Sequence, residues 1–312
     1  MKKIAFVFPG QGSQTSGMGR ELCDAFAEAR QVFAEADLVL GAGFQELIFH
    51  GSEADLALTE NTQPAVLTVS VAAARVLFAR GVFPQAVAGH SLGEYSAVVA
   101  ASGLGFGEAL RLVRRRGGYM QDAVPVGRGA MAAILGMDPN ALEQACAEAA
   151  RGEVVVGANY NSPEQTVIAG DAEAVKRAVA LAEARGAKRA VMLAVSAPFH
   201  CPLMQPARER LHADLQAAAW KDLEVPLVTN VDARPVRLAS EVREALDRQV
   251  TAPVRWRESV EQLAKDGVEA LIEVGPGRVL SGLARRIDRR LEVYSVEDPK
   301  SLEKTLAALE VA

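Results

Sequence analysis

The sequence predicts an α/β fold, a parallel sheet covered on both faces by helices with a smaller unit set into it, and three observations carry that prediction. Apolar runs such as residues 4–8 and 86–88 are hydrophobic at every position rather than every second one, as strands buried on both faces are. Each run is followed by a glycine-containing turn and a stretch of helical periodicity, the alternation that parallel strands require of their crossovers. Between about residues 126 and 195 this alternation gives way to a compact series of six shorter elements.

Taken in order, Ile4-Ala5-Phe6-Val7-Phe8 reads as a buried first strand, stopped by Pro9-Gly10 and followed by a helical pattern over about 19–38. A second helix is predicted over 64–80, and Gly81 and Pro84 then punctuate the entry to the strand at 86–88. That strand runs into Gly89-His90-Ser91-Leu92-Gly93 and a third helix. The inserted series reads strand 130–135, helix 139–150, strand 154–158, strand 166–169, helix 172–185 and strand 190–195. The order β-α-β-β-α-β is the ferredoxin-like arrangement, an antiparallel sheet with its helices on one face. The α/β pattern then resumes, with a helix over 202–218, a strand at 227–231, a helix around 256–265, a strand at 270–274 and an apolar run at 291–296. The domains expected are therefore a core of 1–125 with 196–312 and an insertion of 126–195.

The 312 residues are 50% hydrophobic and 23% charged, enough apolar material for a full core. The net charge of -5 argues against broad capture of nucleic acid or of an anionic membrane, so an anionic ligand must be bound locally. Cys23, Cys146 and Cys201 are odd in number and lack C-x-x-C spacing. Neither a disulfide framework nor a metal site is expected, and a reducing cytoplasm fits best. The five apolar residues after Met1-Lys2-Lys3 are too few for a signal-peptide core, and no run of 18 apolar residues occurs.

Gly89-His90-Ser91-Leu92-Gly93 fits G-x-S-x-G where a strand turns sharply into a helix, the context of a nucleophile elbow. Such a turn sets the Ser91 hydroxyl at a helix N-terminus, whose free N–H groups can hold a developing oxyanion; a plain N-cap is the competing reading. A nucleophilic serine needs a base, and the chain has four histidines. His90 should point away from its neighbour, His50 sits in a connection to Gly51, and His212 lies in a charged helix. His200, in the loop after the strand at 190–195, is the candidate, with a hydrogen-bonded loop histidine as the alternative. The glycines of Pro9-Gly10-Gln11-Gly12-Ser13-Gln14 let the backbone approach a ligand and donate N–H groups. A dinucleotide loop is a poor match, since Thr15 stands where a third glycine belongs.

In Arg114-Arg115-Arg116, the 100° step of a helix separates the three. Arg116 shares a face with Ala109, Leu112, Val113, Tyr119 and Met120, whereas Arg111, Arg114 and Arg115 project elsewhere. A guanidinium among apolar groups must be paired. An internal Asp or Glu is one possible partner, and the free carboxylate of a substrate is the other.

These residues resemble a known family, the malonyl-CoA:acyl-carrier-protein transacylases, and are similar also to the acyltransferase domains of polyketide synthases. The resemblance rests on seven blocks in the family's order, which begin at Phe8, Gly89, Arg116, Asn159, Ser196, Pro253 and Glu273 and include Ser196-Ala197-Pro198-Phe199-His200. It implies an α/β-hydrolase-like core with a ferredoxin-like insertion. It implies Ser91 as nucleophile, His200 as general base, Gln249 as the residue that orients the histidine, and backbone N–H groups of Gln11 and Leu92 as the oxyanion hole. Arg116 would clamp the malonyl carboxylate, with Phe199, Met120, Asn159 and Asn161 shaping the substrate site.

The implied reaction moves malonyl from malonyl-CoA to the phosphopantetheine thiol of acyl carrier protein in fatty acid biosynthesis, with no bound cofactor. The carrier protein is the partner, with no nucleic acid and no membrane, and the enzyme is expected to be a monomer. A polyketide acyltransferase or a thioesterase is the alternative. Arg185, Lys188, Arg189, Arg285, Arg286, Arg289 and Arg290 are candidates to dock an acidic carrier. Cys201 stands where the family commonly has serine, and as the histidine's sequence neighbour it is not expected to act as nucleophile.

Overall fold

The computed structural model describes residues 2–195 and 197–310; Ser196, which opens the block ending at His200, lies outside them. The chain begins β1 (Ile4–Phe8), α1 (Arg20–Ala25), α2 (Ala27–Leu40), α3 (Phe44–His50), α4 (Glu53–Ala57), α5 (Thr59–Ala79), β2 (Ala86–Gly89), α6 (Gly93–Ala100) and α7 (Phe106–Asp122). Next come β3 (Gly129–Leu135), α8 (Pro139–Ala150), β4 (Val155–Ser162), β5 (Gln165–Asp171), α9 (Ala172–Ala184) and β6 (Arg189–Met192). A 3-10 turn at Pro202–Met204 leads to α10 (Gln205–Ala217), β7 (Leu227–Val228), β8 (Pro235–Val236), α11 (Ala239–Gln249), α12 (Trp256–Lys265), β9 (Ala270–Val274), α13 (Val279–Ile287), β10 (Glu292–Val296) and α14 (Pro299–Ala308).

The larger sheet has the order β10-β9-β1-β2-β7-β8 and is parallel except where β7 meets β8. β1 lies inside it with all five residues buried. Ile4, Phe6 and Phe8 join one hydrophobic cluster with α2, α5 and α7, while Ala5 and Val7 join another with Trp256, Val260 and Leu283 from α12 and α13. Two-sided burial is why these strands are apolar throughout. α5 is long and apolar enough to cross a membrane, yet 83% of its most hydrophobic window is buried inside the molecule; it is the core's central helix.

The smaller sheet has the order β4-β5-β3-β6, antiparallel throughout. Ala132, Ile134 and Ile168 on one face pack under Leu142 of α8 and Val175 of α9. The opposite face sends Met131, Ala133, Val167 and Ala169 into the main core. β4 is bulged between Gly157 and Asn159, and beyond the bulge it exchanges hydrogen bonds with Val254: Tyr160 N–H donates to Val254 O at 2.9 Å and Val254 N–H to Ala158 O at 2.8 Å. The smaller sheet is thereby stitched to the segment leading into α12, and a cleft is left between the two sheets.

Several elements differ from expectation. The first helical pattern is two helices broken at Phe26, which is extended (φ -124, ψ 130); the Arg30 guanidinium donates to the freed Cys23 and Asp24 carbonyls. α5 starts five residues before Pro64, because a proline in the second turn removes only one backbone hydrogen bond. β6 stops at Met192 and β7 at Val228, shorter than the apolar runs containing them. α3, α4, α11, α13, α14 and β8 had no forecast. Cys23, Cys146 and Cys201 are all buried free thiols.

Candidate active site

Ser91 sits at the turn between β2 and α6 with φ 53, a left-handed conformation that costs about 1–3 kcal/mol in a non-glycine residue. Its flanking glycines make the turn possible. A Cβ on Gly89 would lie 2.0 Å from Gly93 C and O, and one on Gly93 would lie 2.0 Å from Phe8 O. Asn230, just past β7, holds the turn from both sides: its Oδ1 accepts from Ser91 N–H at 2.7 Å and its Nδ2 donates to Gly89 O at 2.6 Å. The start of α6 has no side-chain cap, so the plain N-cap reading of Ser91 does not describe this turn.

The Ser91 hydroxyl instead meets His200, with Oγ 2.7 Å from Nε2 across 109 residues of sequence. His200 Nδ1 lies 2.9 Å from the Gln249 backbone carbonyl, which can only accept, so Nδ1 carries the proton and Nε2 offers its lone pair to the serine. Burial, followed by the Arg116 charge, pushes the imidazole down to about 3. It is neutral over the whole physiological range. Like Ser91, His200 has positive φ, 59°. The neighbouring Cys201 thiol turns away to Pro198 O, and burial pushes it up to about 12.

Arg116 faces inward from α7, 1% exposed, as the helical arithmetic places it. Arg114 and Arg115 reach Asn61 and Asp214 instead. Tyr119 shares the inward face only in part, since its hydroxyl donates to Asp214. Of the two partners left open for Arg116, the internal acidic one is not found: among the described residues no Asp or Glu pairs with it. Nη1 donates to Gln63 Oε1 at 2.7 Å, and Nη2 donates to Gln249 Oε1 at 2.8 Å and Ser91 Oγ at 3.2 Å. Nε is buried with no acceptor among the described residues. A cation held by two amide oxygens and a hydroxyl keeps its net charge for something else.

The same pocket is lined by Gln11, Leu92, Met120, Asn159 and Phe199. Among the described residues the backbone N–H groups of Gln11 and Leu92 meet no acceptor, and both belong to loops beside Ser91. Asn159 Oδ1 is buried and unpartnered within the same set. Asn161 reaches the pocket only through His90, whose Nε2 lies 2.8 Å from Asn161 Oδ1. His90, set aside in the sequence because it precedes the serine, does point away from Ser91 but forms pocket wall.

Comparison with known proteins now bears on this site. The acyl transferase domain family matches residues 5–296. A malonyl CoA-acyl carrier protein transacylase of Bacillus subtilis strain 168 is 48% identical over 310 residues, covering 99% of this chain and 98% of that protein. The chain belongs to the malonyl CoA-acyl carrier protein transacylase family. Two solved structures of similar proteins, each 48% identical, agree with the architecture. An acyl carrier protein S-malonyltransferase from Vibrio cholerae gives a TM-score of 0.95, with 97% of this chain and 99% of that one covered. A malonyl-transacylase solved in complex with its holo type II polyketide synthase acyl-carrier protein gives 0.96, with 98% and 99% covered.

In this member of the transacylase family, sequence reasoning missed Gln63, Glu94 and Asn230, which bond to the residues around Ser91 and Arg116. Each left a faint signal. Gln63 is an amide close to the apolar stretch of α5, Glu94 is a charge opening the apolar α6, and Asn230 is a polar residue within the run expected as a strand at 227–231. Gln249 was matched to the histidine-orienting position, and its backbone oxygen meets His200, but its side chain serves Arg116.

Proposed function

We propose that this transacylase moves a malonyl group from malonyl-CoA to the phosphopantetheine thiol of acyl carrier protein through an ester on Ser91, in fatty acid biosynthesis and in the cytoplasm. The observation that carries the reading is the Arg116 guanidinium, buried beside the Ser91–His200 pair without an acidic partner among the described residues. A cation at that place selects an acyl group that ends in a carboxylate.

In the first half-reaction the Ser91 hydroxyl gives its proton to His200 Nε2 as oxygen attacks the thioester carbonyl. The Gln249 carbonyl holds the imidazolium that forms, the role a carboxylate plays in ordinary triads. The Gln11 and Leu92 N–H groups receive the oxyanion. Collapse expels the coenzyme A thiolate, which takes the proton from His200 and leaves malonyl-Ser91 with neutral imidazole. In the second half the carrier's thiol gives its proton to His200, attacks the ester, and the Ser91 oxygen recovers the proton. Every step uses groups of this chain and its two substrates. Residues 126–195 act as an inserted unit supplying one pocket wall through Met131, Asn159, Leu193 and Val195.

Intact-mass measurement tests the scheme. Malonyl-CoA should add one malonyl group, absent in Ser91→Ala, that holo carrier protein removes. Rapid loss of the adduct to water would make the chain a thioesterase, and absence of any adduct would reject the reading.

A further inference from the structure

Glu94 has no part in the steps above, yet it is an ionisable group with no measurable exposure, three residues past Ser91. Both neighbours of its carboxylate are donors. Gln249 Nε2 reaches Oε2 at 2.7 Å and Asn230 N–H reaches Oε1 at 3.3 Å. The far end of the same Gln249 amide accepts from Arg116. The three side chains form a line in which the guanidinium donates to an amide oxygen and the amide nitrogen donates to a carboxylate.

We propose that Glu94 is a positioning residue for malonyl selection: it fixes the Gln249 amide with oxygen toward Arg116 and balances the clamp's charge from one amide away, leaving the guanidinium open to a substrate carboxylate. The inference rests on Arg116 receiving that carboxylate. Turned over, the amide would set N–H groups against the guanidinium and its oxygen against the carboxylate, two repulsions at once in a buried site. Placed directly on Arg116, an acidic side chain would form a bidentate pair and occupy the fork that the substrate needs. Separation by one amide satisfies both demands. Burial, opposed by the Gln249 and Asn230 hydrogen bonds and the Arg116 charge, pushes the Glu94 carboxyl up to about 7, so the balancing charge is present in full only above neutral pH.

The test is Glu94→Gln. The new side chain offers one acceptor where the carboxylate offered two, so it gives up either the Asn230 N–H bond or the Gln249 bond, and it carries no charge to balance the clamp. The Gln249 amide keeps its Nε2 bond to Ser91 O at 2.9 Å but loses its carboxylate anchor. The KM for malonyl-CoA should rise about tenfold while kcat falls by less than about threefold, and the preference for malonyl-CoA over acetyl-CoA should fall by the same factor of about ten. Glu94→Gln/Gln249→Glu restores the pairing between positions 94 and 249 but puts a carboxylate on Arg116 and against Ser91 O, which in wild type accepts from Gln249 Nε2 at 2.9 Å, so it should still bind malonyl-CoA at least about tenfold more weakly than wild type.

Three results overturn the inference: a Glu94→Gln enzyme with wild-type KM and preference, equal losses for both acyl groups, or a double variant that regains wild-type malonyl affinity. Should Glu94→Gln not fold, the double variant decides alone. Wild type measured alongside separates the two readings, since a wild-type enzyme with no malonyl preference rejects the clamp itself, whereas a preference untouched by Glu94→Gln rejects only the role of Glu94.

Discussion

At the scale of single residues, the site is a set of polar groups whose charge states are set by burial. Arg116 was legible because a 100° step per residue puts it among apolar neighbours. Its partners were not, because Gln63 and Gln249 come from distant sequence and an amide carries no pattern. Replacing Arg116 with Ala should cut the malonyl-to-acetyl preference by roughly 10- to 100-fold, the worth of hydrogen bonds to a charged group; transfer assays with the two CoA thioesters check this, and an unchanged ratio would remove the clamp.

Stability should carry a second signature of this burial. Glu94 rises from 4.5 to about 7, so its contribution is full below pH 4.5 and is lost as the pH rises through about 7. His200 falls from 6.5 to about 3, so its contribution is present above pH 6.5 and is lost as the pH drops toward about 3. Between 4.5 and 6.5 the two slopes oppose. Glu94→Gln removes one of them, so on acidification across that window the variant should lose stability relative to wild type by about 1.4 kcal/mol per pH unit. Urea unfolding at several pH values reads the difference, and parallel curves would show that Glu94 does not titrate there.

At the scale of elements, two close approaches fix where the functional side chains sit. The Gly89–Gly93 turn is one, readable from G-x-S-x-G. The other is the crossing of α5 and α7, where a Cβ on Gly117 would lie 2.6 Å from Thr59 O while one on Gly118 would meet nothing within 4 Å. Adjacent glycines in one helix should therefore respond oppositely. Gly117→Ala should destabilise by about 1–3 kcal/mol through overpacking, and Gly118→Ala should stabilise by up to about 1 kcal/mol through helix propensity; chemical denaturation of the two variants decides. The helical step sets Gly117 nearer the inward face than Gly118, but the size of the clash was not readable, because it lies with a helix more than fifty residues away. The short strands were misjudged for a related reason. Thr229 and Asn230 lie between the apolar Val228 and Val231, but Asn230 is drawn out of the sheet by its bonds to the turn at Ser91.

At the scale of the whole molecule, the fold class and the β-α-β-β-α-β order of the smaller sheet were legible because strand burial and element order are local properties. How the two sheets face each other was not, since it depends on the bulge in β4 and its bonds to Val254. Surface charge is also sorted only in three dimensions. Of the cations expected to dock a carrier, Arg185 pairs with Glu148, Lys188 with Glu164 and Arg290 with Asp288, and Arg285 donates to Val293 O. Arg189, Arg286 and Arg289 are exposed and have no ion pair among the described residues. Gly277, two residues before α13, lies beside Ser13 in the loop of Gln11, and Arg286 is in the last turn of that helix. Reversing Arg286 and Arg289 to Glu should raise the KM for an acidic carrier protein by roughly 5- to 10-fold at low salt, and less at high salt, without slowing malonyl loading from malonyl-CoA; an unchanged KM would move docking elsewhere.

The three buried thiols bear on how acyl loading can be watched. Burial raises the proton affinity of all three, with Cys146 and Cys201 at about 12, so each stays a shielded, unreactive thiol. The first half-reaction, in contrast, sets free a small mercaptan in open solution. With malonyl-CoA and no carrier protein, whose own thiol would react, a chromogenic aromatic disulfide should thus colour by one equivalent per acyl group loaded while leaving the catalyst untouched, which counts active sites optically.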